Sequence, residues 1–113
     1  MNVTVLKSKV HRATITGADL NYEGSISIDK KLMKAANILP YELVHVVNIN
    51  NGQRFETYAI EGGPGEITLN GPAARLGQKG DLVIILSYCA MPYDQASKVQ
   101  PCIVKVDSQN NPV

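Results

Sequence analysis

A glycine followed by a serine, Gly24-Ser25, lies within the run Asn21-Tyr22-Glu23-Gly24-Ser25-Ile26-Ser27-Ile28-Asp29. The serine hydroxyl of such a pair can attack the carbonyl that precedes it, moving the acyl group from nitrogen to oxygen. β-Elimination of the resulting ester leaves dehydroalanine, and hydrolysis converts that to a pyruvoyl ketone. Glycine suits the position before the bond, because it has no side chain to block attack and tolerates strained backbone geometry. Taken alone, the dipeptide more often marks an ordinary turn. A second set of residues with chemistry is Arg54, Glu56 and Tyr58, which period-two alternation puts on one face of a strand, with Phe55, Thr57 and Ala59 on the other. By itself that pattern describes an exposed strand with a polar face.

The elements that must position these groups are short and extended. Val3 to Leu6, Arg12 to Thr16, Ser25 to Ile28, Leu43 to Ile49, Gln53 to Ile60, Ile67 to Leu69, Leu82 to Cys89 and Cys102 to Val106 are rich in Val, Ile and Thr and read as eight strands. Asn50-Asn51-Gly52 predicts a hairpin, since Asn and Gly accept the positive φ of a tight turn, and Gly62 to Gly65 predicts another turn. Helical material is brief. Asp29 is placed to cap a helix over Lys30 to Ala36 that ends at Leu39-Pro40; a second turn covers Pro72 to Leu76 and a third Tyr93 to Lys98. Many strands with few helices predict a mainly β fold, a small barrel with short helices. The tail from Asp107 to Val113 is polar and predicted to fray.

Composition narrows the function classes. At 113 residues the chain reads as one domain, 1–113, and a domain this size buries only about two-thirds of its unfolded surface, so association would help it. Apolar residues make up 44%, aromatics 5%, and tryptophan is absent, which leaves aliphatic packing as the source of stability. The formal charge is +1 with Lys and Arg scattered, so neither nucleic acid nor a membrane surface is an expected partner. The amino-terminal residues lack a signal-peptide core and no run reaches the ~20 apolar residues of a membrane span, which predicts a cytoplasmic protein. Cys89 and Cys102 lack CxxC spacing and read as buried free thiols. With only His11 and His45 beside them, no zinc site is expected.

Upstream of the Gly-Ser pair stand Lys9-Val10-His11-Arg12-Ala13-Thr14-Ile15-Thr16 and Ala18-Asp19-Leu20-Asn21-Tyr22-Glu23. Downstream come Asn51-Gly52-Gln53-Arg54-Phe55-Glu56-Thr57-Tyr58 and Asn70-Gly71-Pro72-Ala73-Ala74-Arg75. Taken together and in this order, from about Lys9 to Met91, the chain resembles the pyruvoyl-dependent aspartate 1-decarboxylase family. It departs from the family pattern at Pro72, where alanine is expected, and in the compact loop Glu61-Gly62-Gly63-Pro64-Gly65. The resemblance implies a six-stranded double-psi β-barrel. It also implies a homotetramer with sites between subunits, and a chain cut into 1–24 and 25–113 with or without a maturation helper protein. The implied cofactor is a pyruvoyl group formed from Ser25. The implied reaction is loss of the α-carboxylate of L-aspartate to give β-alanine, which the family feeds into pantothenate and coenzyme A synthesis.

Roles for individual residues follow from the same resemblance. Removing CO2 from an α-amino acid leaves an electron pair that no side chain can accept, and a ketone made from Ser25 would take it up. Arg54 would hold a substrate carboxylate with its planar fork, and Lys9 would be the second cation. Tyr58 would protonate the substrate carbon, since a phenol keeps its proton at neutral pH. Thr57 would polarise the Gly24 carbonyl during cleavage and then contact substrate, which demands a bulge or twist to bring it round from the opposite strand face. Asn70, Gly71, Pro72 and Ala73 would form a loop touching substrate and cofactor, with one donor missing because Pro72 has no N–H. His11 would either assist processing or serve as a hydrogen-bonded structural histidine, and His45 would be structural. A reading from another class is a non-catalytic oligomeric β-barrel interaction module, and only cleavage at one bond separates it from the enzyme.

Overall fold

Alternation of apolar and polar residues gives each strand one face that must leave water, and joining those faces assembles the sheet. A computed structural model describes residues 1–113. The strands are β1 (Asn2–Thr14), β2 (Gly17–Asp19), β3 (Ser25–Asp29), β4 (Leu43–Asn48), β5 (Arg54–Gly62), β6 (Ile67–Asn70), β7 (Leu82–Pro92) and β8 (Cys102–Lys105). Two short helices, α1 (Lys30–Ala35) and α2 (Tyr93–Ala96), and a 3-10 turn over Gly71–Arg75 complete the fold.

All eight strands form one ladder in the order β2-β6-β3-β5-β4-β7-β1-β8, with β1/β8, β2/β6 and β3/β5 parallel. β1 and β2 lie towards opposite ends of this order, yet only Ile15 and Thr16 separate them in the chain. The sheet must therefore curl until its ends approach. A backbone bond from the Thr16 N–H to the Ile67 carbonyl at 2.7 Å ties the end of β1 to β6, while the Ile15 N–H extends the β1/β7 ladder to the Asp81 carbonyl at 2.8 Å. The result is the mainly β, barrel-like fold expected. Its interior is an aliphatic cluster of 18 residues, among which Ile26, Val44, Ile67, Leu69 and Ile85 are wholly excluded from water. Each such side chain contributes about 1.5 to 3 kcal/mol.

Several elements differ from expectation for identifiable reasons. The two predicted strands Val3 to Leu6 and Arg12 to Thr16 are a single strand, β1, because β7 runs on to Pro92 and pairs along its whole length. The ladder accommodates the polar middle of β1 with register shifts between Leu6 and Ser8 and between Val10 and Ala13. Arg12, at the second shift, has φ 66. β2, not among the expected strands, is drawn into the sheet by parallel pairing with β6. The last predicted helix stops at Ala96 rather than Lys98.

The tail is not frayed throughout. Asn110 is buried, its side-chain amide donates to the carbonyls of Thr14 and Gly65, and its Oδ1 accepts from the Thr14 N–H.

Other local expectations hold. Gly52 takes φ 76 in the β4–β5 hairpin, where the Asn48 side chain also accepts from the Asn50 N–H. Asp29 caps α1 by accepting from the Lys31 N–H at 2.8 Å. Its other oxygen accepts from the Gly65 N–H at 2.8 Å, which ties down the turn leading from β5 across the end of β3 to β6. No helix is long and apolar enough to cross a membrane.

Candidate active site

Three neighbouring strands, β6, β3 and β5, build the site. On β3 Ile26 and Ile28 enter the core, so Ser25 and Ser27 face the other way; on β6 Ile67 and Leu69 enter the core and Asn70 faces with the serines. On β5 Phe55 and Ala59 pack inward, which turns Tyr58 outward. Register completes the grouping. Ser25 is directly opposite Asn70, and Ile26 is opposite Ala59, which sets Tyr58 one step along beside Ser25.

Ser25 faces away from the core, yet it is only 1% exposed, because the Tyr22–Gly24 segment and the 3-10 turn close over it. The Asn70 side-chain amide donates to the Ser25 hydroxyl at 3.0 Å and to the Ser27 hydroxyl at 2.9 Å. Ser25 in turn donates to the Glu23 carbonyl at 3.0 Å. The hydroxyl is thus held within one residue of the Gly24 carbonyl, with a donor on its oxygen and an acceptor for its proton.

Gly71, at φ 64, lies so close that a Cβ there would fall 2.9 Å from the Gly24 Cα, the Gly24 N and the Tyr22 carbonyl oxygen. Only glycine satisfies both the conformation and the approach. Pro72 follows at the start of the turn, its ring 3.4 Å from where a Gly24 Cβ would stand. Asn70 makes no side-chain bond to that turn; its Nδ2 donates to the two serines.

Above Ser25 opens a cleft of about 560 Å3, walled by Tyr22, Glu23, Tyr41, Tyr58 and Ile60. The Tyr41 and Tyr58 rings are 6.1 Å apart with planes inclined at 38°. A buried polar base with phenols along the wall suits a small polar substrate. The residues here fit a group made from Ser25, because residue 25 is buried between the Asn70 amide and the Glu23 carbonyl and lines the cleft.

Other expected residues lie elsewhere on the protomer. Arg54 opens β5 four residues before Tyr58, a strand distance of roughly 13 Å, and forms no ion pair. Lys9 and His11 belong to β1, four places from β3 in the ladder. The β4–β5 register runs unbroken from Leu43 opposite Tyr58 to Val47 opposite Arg54. No bulge brings Thr57 round, and it remains on the strand face opposite Tyr58. Ala73 is a buried residue of the 3-10 turn itself.

The Nδ1 of His11 is enclosed without a hydrogen-bond partner. Burial, reinforced by the charges of Lys9, Arg12 and Lys105, holds its imidazole below its ordinary pKa and so neutral at physiological pH. His45 packs edge-on against Tyr88 with ring centroids 5.1 Å apart, and its Nε2 lies 3.6 Å from Glu56.

Sequence reasoning missed Ser27 and Tyr41. Strand alternation from Ser25 would have found Ser27, whereas Tyr41 sits in a loop with no periodicity to betray it.

Comparison with known proteins identifies the family. A family profile described as aspartate decarboxylase matches residues 1–113. An aspartate 1-decarboxylase of Dehalococcoides mccartyi is 63% identical over 108 residues, covering 94% of this chain and 87% of the relative. One from Clostridium botulinum (strain Langeland) is 58% identical over 113 residues, covering 98% and 89%. One from Flavobacterium psychrophilum is 56% identical over 113 residues, covering 98% and 97%. With a profile match along its whole length and relatives this similar, the chain belongs to the aspartate decarboxylase family.

Proposed function

We propose that this chain catalyses the 1-decarboxylation of L-aspartate to β-alanine and CO2, after cutting itself between Gly24 and Ser25. The observation that carries the proposal is the buried Ser25 hydroxyl, clamped between the Asn70 amide and the Glu23 carbonyl at the base of the Tyr58 cleft. In the cut, the Ser25 oxygen bonds to the Gly24 carbonyl carbon and the Gly24–Ser25 C–N bond breaks. Loss of the Ser25 Cα proton then expels Gly24 as a carboxylate, and one water replaces the nitrogen, which leaves as ammonia. The products are chains 1–24 and 25–113, the second headed by a pyruvoyl group. That group supplies the electron sink that decarboxylation needs.

The remaining tasks fall to side chains. Tyr58 projects into the cleft beside residue 25 and donates the proton that replaces the lost carboxylate. Arg54 and Lys9, both free of ion pairs, bind the substrate carboxylates. A homotetramer with sites between subunits brings the cations of one chain to the cleft of the next. Two unpaired thiols, Cys89 and Cys102, suit a reducing cytoplasm, where β-alanine enters pantothenate synthesis.

Intact-mass analysis of purified protein, together with borohydride trapping in the presence of aspartate, tests the reading. Two chains are expected, with one water gained and one ammonia lost, and a substrate adduct on the chain that begins at residue 25. Ser25→Ala should remain a single folded chain. A wild-type chain that stays uncut after prolonged incubation and traps no substrate would rule the proposal out.

A further inference from the structure

Tyr41 has a left-handed backbone, φ 69, which a bulky L-residue adopts only against steric resistance. Burial does not compensate for this, since the side chain is 77% exposed. Strain retained without packing points to function.

The surrounding bonds show what the strain achieves. The Tyr41 N–H donates to the Ala59 carbonyl at 2.6 Å, and the Ala59 N–H donates to the Glu42 carbonyl at 3.0 Å, which staples the loop to β5 next to Tyr58. The Glu42 carboxylate accepts from the Leu39 N–H at 2.9 Å, from the Lys7 ammonium on β1 and from the Ser87 hydroxyl on β7. Lys7 also donates to the Asn37 carbonyl at 2.7 Å. The Asn37–Glu42 loop is therefore fastened to three strands, and it presents the Tyr41 ring to the Tyr58 ring at 6.1 Å, inside the range of favourable aromatic pairs.

We infer that Tyr41 is a positioning residue whose ring holds the Tyr58 side chain in the orientation that reaches the substrate carbon above residue 25. The inference rests on Tyr58 being the proton donor. A general acid must come within hydrogen-bond reach of the atom it protonates, and a displacement of about 1 Å can lower the rate up to a hundredfold. In an open cleft Tyr58 has no other aromatic ring beside it to limit its rotamers. The hydroxyl of Tyr41 is not required, only its ring.

The test compares fully cleaved wild type with Tyr41→Gly, Tyr41→Asn, Tyr41→Phe and Tyr58→Phe. Melting temperature, kcat and KM for aspartate are measured. So is the fraction of chain 25–113 that ends with alanine in place of its pyruvoyl group after a fixed number of turnovers, the mark of a proton delivered to the wrong carbon. Glycine and asparagine both accept the left-handed conformation, so Tyr41→Gly and Tyr41→Asn should melt no lower than wild type and should still self-cleave. Their kcat should fall about threefold to tenfold with KM changed less than about twofold, and the alanine-terminated fraction should rise. Tyr41→Phe should match wild type in every readout.

If Tyr58→Phe is severely impaired while Tyr41→Gly and Tyr41→Asn keep wild-type kcat, Tyr41 has no positioning role. Tyr41→Phe as poor as Tyr41→Gly would refute the assignment to the ring. Near-normal turnover by Tyr58→Phe would instead remove the donor itself, and the inference with it.

Discussion

Replacing Asn70 by alanine separates what its amide does for the fold from what it does for the cut. The amide makes two bonds in a buried setting, to Ser25 at 3.0 Å and to Ser27 at 2.9 Å. At about 1 kcal/mol net for each, their loss lowers stability by about 2 kcal/mol. For a chain of 113 residues that is a drop of roughly 8 °C in melting temperature.

The effect on cleavage is a separate quantity. As Ser25 attacks, its oxygen sheds a proton and gains negative charge, and a hydrogen bond to a charged acceptor is worth about 1.5 to 3 kcal/mol against about 1 for a neutral one. Only that increment lowers the barrier, so Asn70→Ala should cut itself about twofold to thirtyfold more slowly. Ser27→Ala is the control. It deletes only the second bond, and should lose roughly 4 °C while cleaving at the wild-type rate. The assay follows release of chain 1–24 from freshly purified precursor by intact mass, with melting curves on the same samples. Cleavage at the wild-type rate in Asn70→Ala, despite the drop in melting temperature, would refute the argument. Equal slowing by Ser27→Ala would trace the effect to distortion of β3 instead.

Two further outcomes are expected. Arg54→Lys retains the charge but loses the planar fork, so kcat/KM for aspartate should fall by ~2 to 4 kcal/mol of transition-state stabilisation, roughly thirtyfold to a thousandfold, with self-cleavage intact; activity within a factor of about three of wild type would take Arg54 out of the site. At Glu42, burial opposes ionisation, but hydrogen bonds from the Leu39 amide, Lys7 and Ser87 outweigh it and hold the carboxyl below its ordinary 4.5. The ionised group therefore stabilises the fold fully above pH 4.5, and that contribution fades as pH falls through the lower folded value. Glu42→Gln should melt several degrees below wild type at pH 7, and the gap should shrink below about pH 4.5 in melting curves taken down to pH 3; a gap independent of pH would show that the ion pair is not its source.

The parts of this protein legible in the sequence are those set by local periodicity. Val44, Val46 and Asn48 are buried and alternate with less buried neighbours along β4, and Asp29 caps α1 where a capping residue was expected. Asn51-Gly52 turns the hairpin, and alternation put Tyr58 and Thr57 on opposite faces of β5. What escaped reading depends on partners distant in the chain. β1 is one strand because β7 supplies a full-length partner 80 residues away, and Gly17–Asp19 is a strand only because β6 has a free edge. Asn110, inside a stretch polar enough to predict fraying, is ordered because it can satisfy the Thr14 backbone and the Gly65 carbonyl at once.

The same distinction explains why half of the expected site assembles within a single protomer. Ser25, Asn70 and Tyr58 lie on adjacent strands whose faces follow from period-two alternation, so one register brings them together. Arg54 shares the outward face of Tyr58 and opens β5 four residues before it, roughly 13 Å along the strand. Lys9 belongs to β1, four places from β3 in the ladder order. A residue-by-residue resemblance carries each role without its location, because it does not say which copy of the chain a side chain serves. The regular β4–β5 register sharpens the point at Thr57, since no local distortion turns it toward Gly24. Under the proposed function, the cut would rely on groups that neighbouring elements assemble, Ser25, Asn70 and the Gly24–Gly71 contact, whereas holding both carboxylates of the substrate would fall to Arg54 on β5 and Lys9 on β1.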